Sequence, residues 1–392
     1  MCRVSPSFLR VAQFELFAQR DEIPELVRFA DYCCFREFPH LLSDPMLAMP
    51  AAPPSAAAAL DENLRSRQPV PWSRGNPRRY IELYRCVCRA VASLVAEWIR
   101  VGYVQGNMNS DNILLGGRTL DYGPFGFMES YNPLYQPFTS DMEGKFAFMR
   151  QPTAMLVNMV TLAQSFGVLV AAKCREAGLS AQEEAKLQAD LSAIGEKDFP
   201  DMFHAAFCEV RRRKLGLAQF REEDNLLWKD LDMLLFREGQ GGGGGIDYTI
   251  FFRELCGVAF EDMSAGEALA ALQVAFYEPQ NSAEYKGPDV RGWTDWLERY
   301  STRLRLDGSG SERRDHRAAE MTLANPKFIF RNWMGILAYE AAEKGDLSVL
   351  DELHLLLERP YDEHEQRPDL SEKWYRRTPG YAKSMPGAAF MS

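Results

Sequence analysis

Asp111, Asn112 and Asp121 lie close together in QGNMNSDNILLGGRTLDYGPFGF, between Gln105 and Phe127, and their side chains suit a divalent cation bound with a polyphosphate. Residues 113–115 and 119–120 are short apolar segments separated by Gly116-Gly117, a pattern that predicts a tight β-hairpin. Asn112 enters that hairpin and Asp121 leaves it, so both side chains are expected at the same end. Mg²⁺ takes oxygen ligands and keeps much of its hydration, so an amide and a carboxylate completed by water and phosphate oxygens suffice. Asp111 is then left as a free carboxylate beside the metal, placed to accept the proton of an attacking hydroxyl. Either DNILL or DYG alone would read as an ordinary surface turn; their combination points to a nucleotide site.

The catalytic loop of protein kinases uses the same residue types, but there the acid precedes the metal-binding Asn by several residues, whereas here they are adjacent and no His-Arg-Asp occurs. The string MNSDN, followed by LDYGPFGFMESY and KFAFMRQPTAMLVNM, resembles the selenoprotein O family, kinase-like proteins that transfer AMP rather than phosphate to protein hydroxyls. The family's MNTDN differs from MNSDN by one hydroxyl residue. The resemblance extends to CRVSPSFLRVAQFE at the start and NPKFIFRNWMGILAYEAAEKGD near the end. It implies a mainly helical α+β fold of protein-kinase type, with a helical large lobe and a truncated small lobe. It also implies AMP transfer from ATP, with Mg²⁺ or Mn²⁺, to Ser, Thr or Tyr hydroxyls on other proteins or on the chain itself.

Closely spaced guanidinium groups such as those of Arg3 and Arg10 can grip a polyphosphate through charge-assisted, bidentate hydrogen bonds, although two solvated arginines are the plainer reading of the spacing alone. The resemblance matches them to the two arginines of R-V-x-P-S-x-x-R that contact the nucleotide phosphates. It makes Asp111 the catalytic base and Asn112 and Asp121 the metal ligands, with Asp121 also part of the nucleotide site. The family's glycine-rich phosphate contacts and an essential Lys lie upstream of the arginines, so the expectation is an N-terminally truncated copy or the loss of half the ATP pocket. Gly239 to Gly245 follows the catalytic loop, lacks a downstream Lys-Ser/Thr and reads as a linker rather than a phosphate loop. The ending MPGAAFMS has no cysteine, which argues against control by a C-terminal thiol motif such as C-S-C-S-S. Two other readings stay open: phosphoryl transfer on the same scaffold, and a non-catalytic pseudokinase-type binding protein.

Several elements must hold these residues in place. Residues 80–101 carry Tyr84, Val87, Val91, Leu94, Val95, Trp98 and Ile99 at helical spacing, and Gly102 is placed to stop that helix. Residues 11–38 show helix-like apolar spacing, and 155–173 form a further helix on which Asn158 is expected to brace the site through a hydrogen bond. In the aromatic, Gly/Pro-rich stretch 123–151, Phe125, Phe127, Tyr131, Phe146 and Phe148 read as packing anchors, and Asp141 and Lys145 as solvated. Beyond Ser180, which with Glu183 forms a capping-box pattern, helices are expected at 199–214, 220–236, 246–260, 293–305, 325–344 and 347–358. The basic run from Arg211 to Lys214 suits a helix C-terminus and reads as a solvated face. The organisation is therefore a small-lobe remnant over 1–44, a Pro/Ala-rich insertion over 45–79, a catalytic core over 80–150, a helical lobe over 151–360 and a tail over 361–392.

Bulk properties bound these readings. A chain of 392 residues with 46% hydrophobic content can fill a large core, and a formal net charge of -10 disfavours nonspecific nucleic-acid binding. The eight cysteines show no paired C-x-x-C pattern for zinc, and they read as buried reduced thiols in a reducing, intracellular compartment. The resemblance implies the mitochondrion for a eukaryotic member and the cytoplasm for a bacterial one. No apolar run reads as a membrane span, and no targeting segment is visible. None of the five histidines pairs with another at ligand spacing.

Overall fold

The computed structural model describes residues 4–48, 75–120, 122–240, 244–260, 262–278, 287–308 and 310–384. The apolar spacing over 11–38 resolves into two helices, α1 (Val11–Gln19) and α2 (Ile23–Glu37). Asp21 interrupts them with a left-handed φ of 56°, and Pro24 opens α2, where a missing N–H costs nothing. A short helix, α3 (His40–Ser43), precedes the long α4 (Pro77–Val101), which Gly102 terminates at a φ of 76°. Strand β1 (Tyr103–Gln105) pairs antiparallel with β2 (Phe125–Phe127), Val104 standing opposite Gly126. Next come α5 (Gln151–Glu176) and α6 (Ala181–Ala193), then a π turn over Ile194–Asp198 that leads into α7 (Phe199–Lys214). The remaining helices are α8 (Asp224–Glu238), α9 (Tyr248–Gly257), α10 (Ala265–Leu272), α11 (Val290–Arg305), α12 (Ser311–Ala324), α13 (Asn332–Glu343), α14 (Ser348–Glu358) and α15 (Pro368–Trp374). The described residues are thus mostly helical with one small antiparallel sheet, the content expected of the kinase-like class.

The chain divides into two compact units, one comprising Met1–Val95, Met108–Tyr122 and Pro152–His204, the other Ala96–Asn107, Gly123–Gln151 and Ala205–Ser392. In the first, Phe14 of α1 stacks on Phe166 of α5 at 4.5 Å and meets Phe29 of α2 edge-on at 4.8 Å, and Tyr84 of α4 lies 5.3 Å from Phe166. The Tyr84 hydroxyl donates to the Met159 carbonyl at 2.7 Å, so a polar tip is satisfied inside an aromatic core. The stretch Phe148–Glu176 is long and apolar enough to cross a membrane, contrary to the sequence expectation; burial of Met155, Met159, Leu162, Phe166 and Leu169 in the core accounts for that apolar character.

Asp31 of α2 is buried in the same unit and accepts a hydrogen bond from the Tyr80 hydroxyl at 2.8 Å. Burial raises its pKa to about 6, against the opposing pull of Tyr80, Lys173 and Arg79. The folded value lies above the unfolded one, so the native state holds the proton more tightly and stability drains away as pH rises from about 4 to about 6. Asp31→Asn keeps an acceptor for Tyr80 without the charge. The difference in unfolding free energy, wild type minus variant, is therefore expected to fall by about 2 kcal/mol between pH 4 and pH 7. Urea titrations at the two pH values measure it, and a difference that does not move with pH would contradict the burial argument.

In the second unit the core runs through Tyr248, Phe252, Trp228, Trp293, Trp296 and Tyr300, with Trp296 stacked on Tyr300 at 5.2 Å. A further cluster joins Phe328, Trp333, Leu353, Leu356, Leu370 and Trp374. Several expectations change here. The basic run ending α7 is not a solvated face: Lys214 is buried, donates to the Arg100 carbonyl at 2.8 Å and to Asn325 Oδ1 at 2.9 Å, and lies 3.7 Å over the Phe252 ring. Burial drives its pKa well down. Arg211 lies over the Phe207 ring at 4.2 Å, and Arg213 pairs with Glu97. Asp141 is buried, because its carboxylate accepts the N–H groups of Lys145 and Phe146 at 2.9 and 2.8 Å and closes the loop on itself; Lys145 is exposed, as expected. Asn325 ends α12 rather than opening a helix, and α13 begins only at Asn332.

The seven described cysteines are free thiols, five of them buried, while Cys2 lies outside the described residues. Burial pushes the thiols of Cys34 and Cys88 up to about 12, which makes them poor nucleophiles.

Candidate active site

The predicted hairpin after Asn112 survives as a single antiparallel bridge, Ile113 to Thr119. Leu114 and Leu115 pair instead with the chain entering α1. Arg10 bridges Leu114, the Val11 N–H donates to the Ile113 carbonyl at 3.0 Å, and the Leu115 N–H donates to the Leu9 carbonyl at 2.9 Å. The Gly116-Gly117 turn is pressed onto α4. Gly117 has a φ of 64°, and a Cβ there would stand 2.5 Å from the Ala90 carbonyl oxygen, so Gly is required both for the backbone angle and for the approach. Gly117→Ala is expected to cost about 1–3 kcal/mol of stability, read as a lower urea midpoint. An unchanged midpoint would show that the turn is not seated on α4.

Asp111 and Asn112 occupy a 3₁₀ turn, Ser110–Asn112, closed by the Asn112 N–H donating to the Asn109 carbonyl at 2.8 Å. The turn is braced from three directions. Arg10 Nη1 donates to the Asp111 carbonyl at 3.2 Å, the Ser110 hydroxyl donates to Glu15 Oε2 at 2.7 Å, and Asn158 Nδ2 donates to the Met108 carbonyl at 2.9 Å. Asn158 thus makes the hydrogen bond expected of it. Glu15 and Ser110 were not legible as bracing groups, since nothing in their spacing links positions so far apart in the chain.

The Asp111 side chain is exposed and that of Asn112 half-buried, and among the described residues neither the carboxylate nor the side-chain amide has a partner. Arg10 commits one donor to the turn and has no carboxylate partner among those residues, so its fork stays available to an anion. The turn therefore gathers a base, an oxygen donor for a hard cation and a guanidinium at one place. Arg3 and Asp121, the other two predicted site residues, lie outside the described residues. No group of three His, Cys, Asp or Glu side chains among the described residues could hold a metal by itself. A cation at this turn would need ligands beyond a protein cage, which suits Mg²⁺ bound with water and phosphate oxygens.

A family model described as "Protein adenylyltransferase SelO" matches residues 1–358. The chain belongs to the SelO family. Proteins named "Protein nucleotidyltransferase YdiU" from Flavobacterium johnsoniae, Rhodopirellula baltica and Xanthomonas euvesicatoria pv. vesicatoria are 31%, 30% and 32% identical to it over 393, 401 and 393 residues. Each alignment covers 100% of this chain and 63%, 64% and 63% of the relative, so the SelO family chain spans less than two thirds of the length of the curated relatives it matches. The MNSDN string on which the resemblance rested is the segment folded here into the braced turn.

Proposed function

We propose that the protein transfers AMP from ATP to Ser, Thr or Tyr hydroxyls of proteins, its own included, in a reaction that depends on Mg²⁺ or Mn²⁺. The observation that carries this reading is the placing of an exposed Asp111, whose carboxylate has no partner among the described residues, beside Asn112 on a turn to which Arg10 is hydrogen-bonded. Membership of a family described as adenylyltransferases supports it.

In this mechanism Asp111 accepts the proton as the hydroxyl oxygen attacks the α-phosphorus. The new O–P bond forms as the α–β bridging bond breaks, and pyrophosphate leaves with the electron pair. Arg10 and Arg3 offset the negative charge that develops on the departing phosphates. When bound, the divalent cation supplies Lewis-acid neutralisation of phosphate oxygens, and Asn112 and Asp121 are the residues that would hold it.

Phosphoryl transfer would use the same residues, so the position of the label in ATP decides between the two. The purified protein, incubated with Mg²⁺ and a protein mixture, is expected to attach label from α-labelled ATP and none from γ-labelled ATP. Attachment from the γ-position alone, or from neither, would overturn the proposal.

A further inference from the structure

The bracing of the catalytic turn is asymmetric. On one side the contacts are backbone hydrogen bonds, from Val11 to Ile113 and from Leu115 to Leu9, which any sequence could make. On the other side, besides the bonds that Arg10 and Asn158 make to main-chain carbonyls, one contact engages a side chain of the turn itself: the Ser110 hydroxyl donates to Glu15 Oε2 at 2.7 Å. Glu15 lies one helical turn beyond Val11 on α1, the residue whose backbone N–H is bonded to the Ile113 carbonyl. Its other oxygen, Oε1, is shut off from solvent and has no hydrogen-bond partner among the described residues. Among the described residues Ser110 is therefore the one donor to this carboxylate. Glu15 is half-buried, and losing Ser110 would leave its carboxylate without a donor among the described residues.

We infer that Glu15 is a positioning residue for the reaction proposed above. By accepting the Ser110 hydroxyl it fixes the orientation of the 3₁₀ turn, and hence the direction in which Asp111 and Asn112 point. The inference rests on that functional reading for its catalytic consequence, whereas the clamp itself is a property of the fold. Ser110 and Asp111 are neighbours in sequence, so freeing the hydroxyl lets the acid swing with the turn while Arg10 and the backbone pairing keep the chain in place. No second donor among the described residues holds the carboxylate once Ser110 is gone, so the hydroxyl is expected to matter more than its single hydrogen bond suggests.

The test compares Ser110→Ala, Ser110→Thr, Glu15→Ala and the double variant Ser110→Ala/Glu15→Ala by AMP-transfer kinetics and amide hydrogen exchange. Ser110→Ala and Glu15→Ala are each expected to lower kcat about 10- to 100-fold with the KM for ATP within about threefold of wild type. The double variant is expected to be no worse than either, since both remove one contact. Thr at position 110 keeps the hydroxyl and is expected to restore the rate. Exchange at the Asn112 amide, which closes the turn, is expected to quicken about tenfold in the Ala variants and not in Ser110→Thr, while the Val11 amide stays unchanged. Equal rates and equal Asn112 exchange in Ser110→Ala and wild type would overturn the clamp, as would a Thr variant as impaired as the Ala variant. If wild type transfers no AMP, the functional reading falls and exchange decides the clamp: selective quickening at Asn112 upholds it, and none refutes it.

Discussion

Asp111→Ala is expected to lower AMP transfer by about 10²- to 10⁴-fold, the range over which a positioned general base contributes, while leaving the unfolding midpoint where it was. Both halves of that expectation follow from the same geometry. The carboxylate is exposed and has no partner among the described residues, so its removal strands no donor and empties no core. Only its carbonyl takes part in the bracing of the turn, through Arg10, and alanine retains the carbonyl. Asp111→Asn should fall as far, since the amide keeps the shape and loses the basicity. Neither variant should raise the KM for ATP, because the mechanism proposed above gives nucleotide binding to the arginines and to a metal that Asn112 and Asp121 would hold. Initial rates with α-labelled ATP, together with thermal unfolding, provide the check. A transfer rate near that of wild type would remove Asp111 from the reaction, and a large loss of stability would make it structural.

Asp247→Ala is the substitution expected to damage the fold most. The Asp247 carboxylate is fully buried and accepts four hydrogen bonds: from Arg331 Nη1 at 2.6 Å and Nη2 at 3.1 Å, from the Tyr277 hydroxyl at 2.8 Å, and from the Ile250 N–H at 3.0 Å. The last of these caps α9. The pair sits inside the second unit, where burial pulls the Arg331 pKa down and the Asp247 carboxylate more than offsets it; a guanidinium in any case does not escape by losing its proton. Alanine would leave it charged, buried and unpaired, at a cost of about 3–5 kcal/mol, with about 1 kcal/mol more for the lost cap. Against a typical total of roughly 5–15 kcal/mol, that is a third or more of the stability of an ordinary domain. The double variant Asp247→Ala/Arg331→Met removes the stranded charge and is expected to recover part of the loss. Urea unfolding followed by tryptophan fluorescence measures both, and a double variant no more stable than the single one would show that the cost lies elsewhere.

Local rules made much of the scaffold legible. The spacing over 80–101 and the Gly after it gave α4 and its stop, and the capping box at Ser180 marked the start of α6. Helix α7 follows its predicted bounds. At the site, Asp111 and Asn112 could be picked out because DNILL is combined with a following Asp-Tyr-Gly, Arg10 only through the family resemblance, and Asn158 because an amide in an apolar stripe needs a partner. What stayed hidden depends on pairing across the fold. Arg331 and Asp247 stand 84 residues apart, and Ser110 and Glu15 stand 95 apart, with no local signal joining either pair. A basic run such as 211–214 looks solvated until the aromatic rings and carbonyls that receive Lys214 and Arg211 come from distant helices. Residues 311–324, SERRDHRAAEMTLA, carry too few apolar side chains for periodicity to show, so α12 could be seen only in the structure.

The central claim is that the Asp111-Asn112 turn binds a nucleotide-bound divalent cation. Mn²⁺ tests it directly, because its unpaired electrons broaden the NMR signals of nearby nuclei. With ATP present, low concentrations of Mn²⁺ are expected to erase the amide signals of Asp111 and Asn112 before those of most of the chain, and Mg²⁺ in excess should restore them. Signals at the turn that persist while others vanish would place the metal, and with it the reaction, somewhere else.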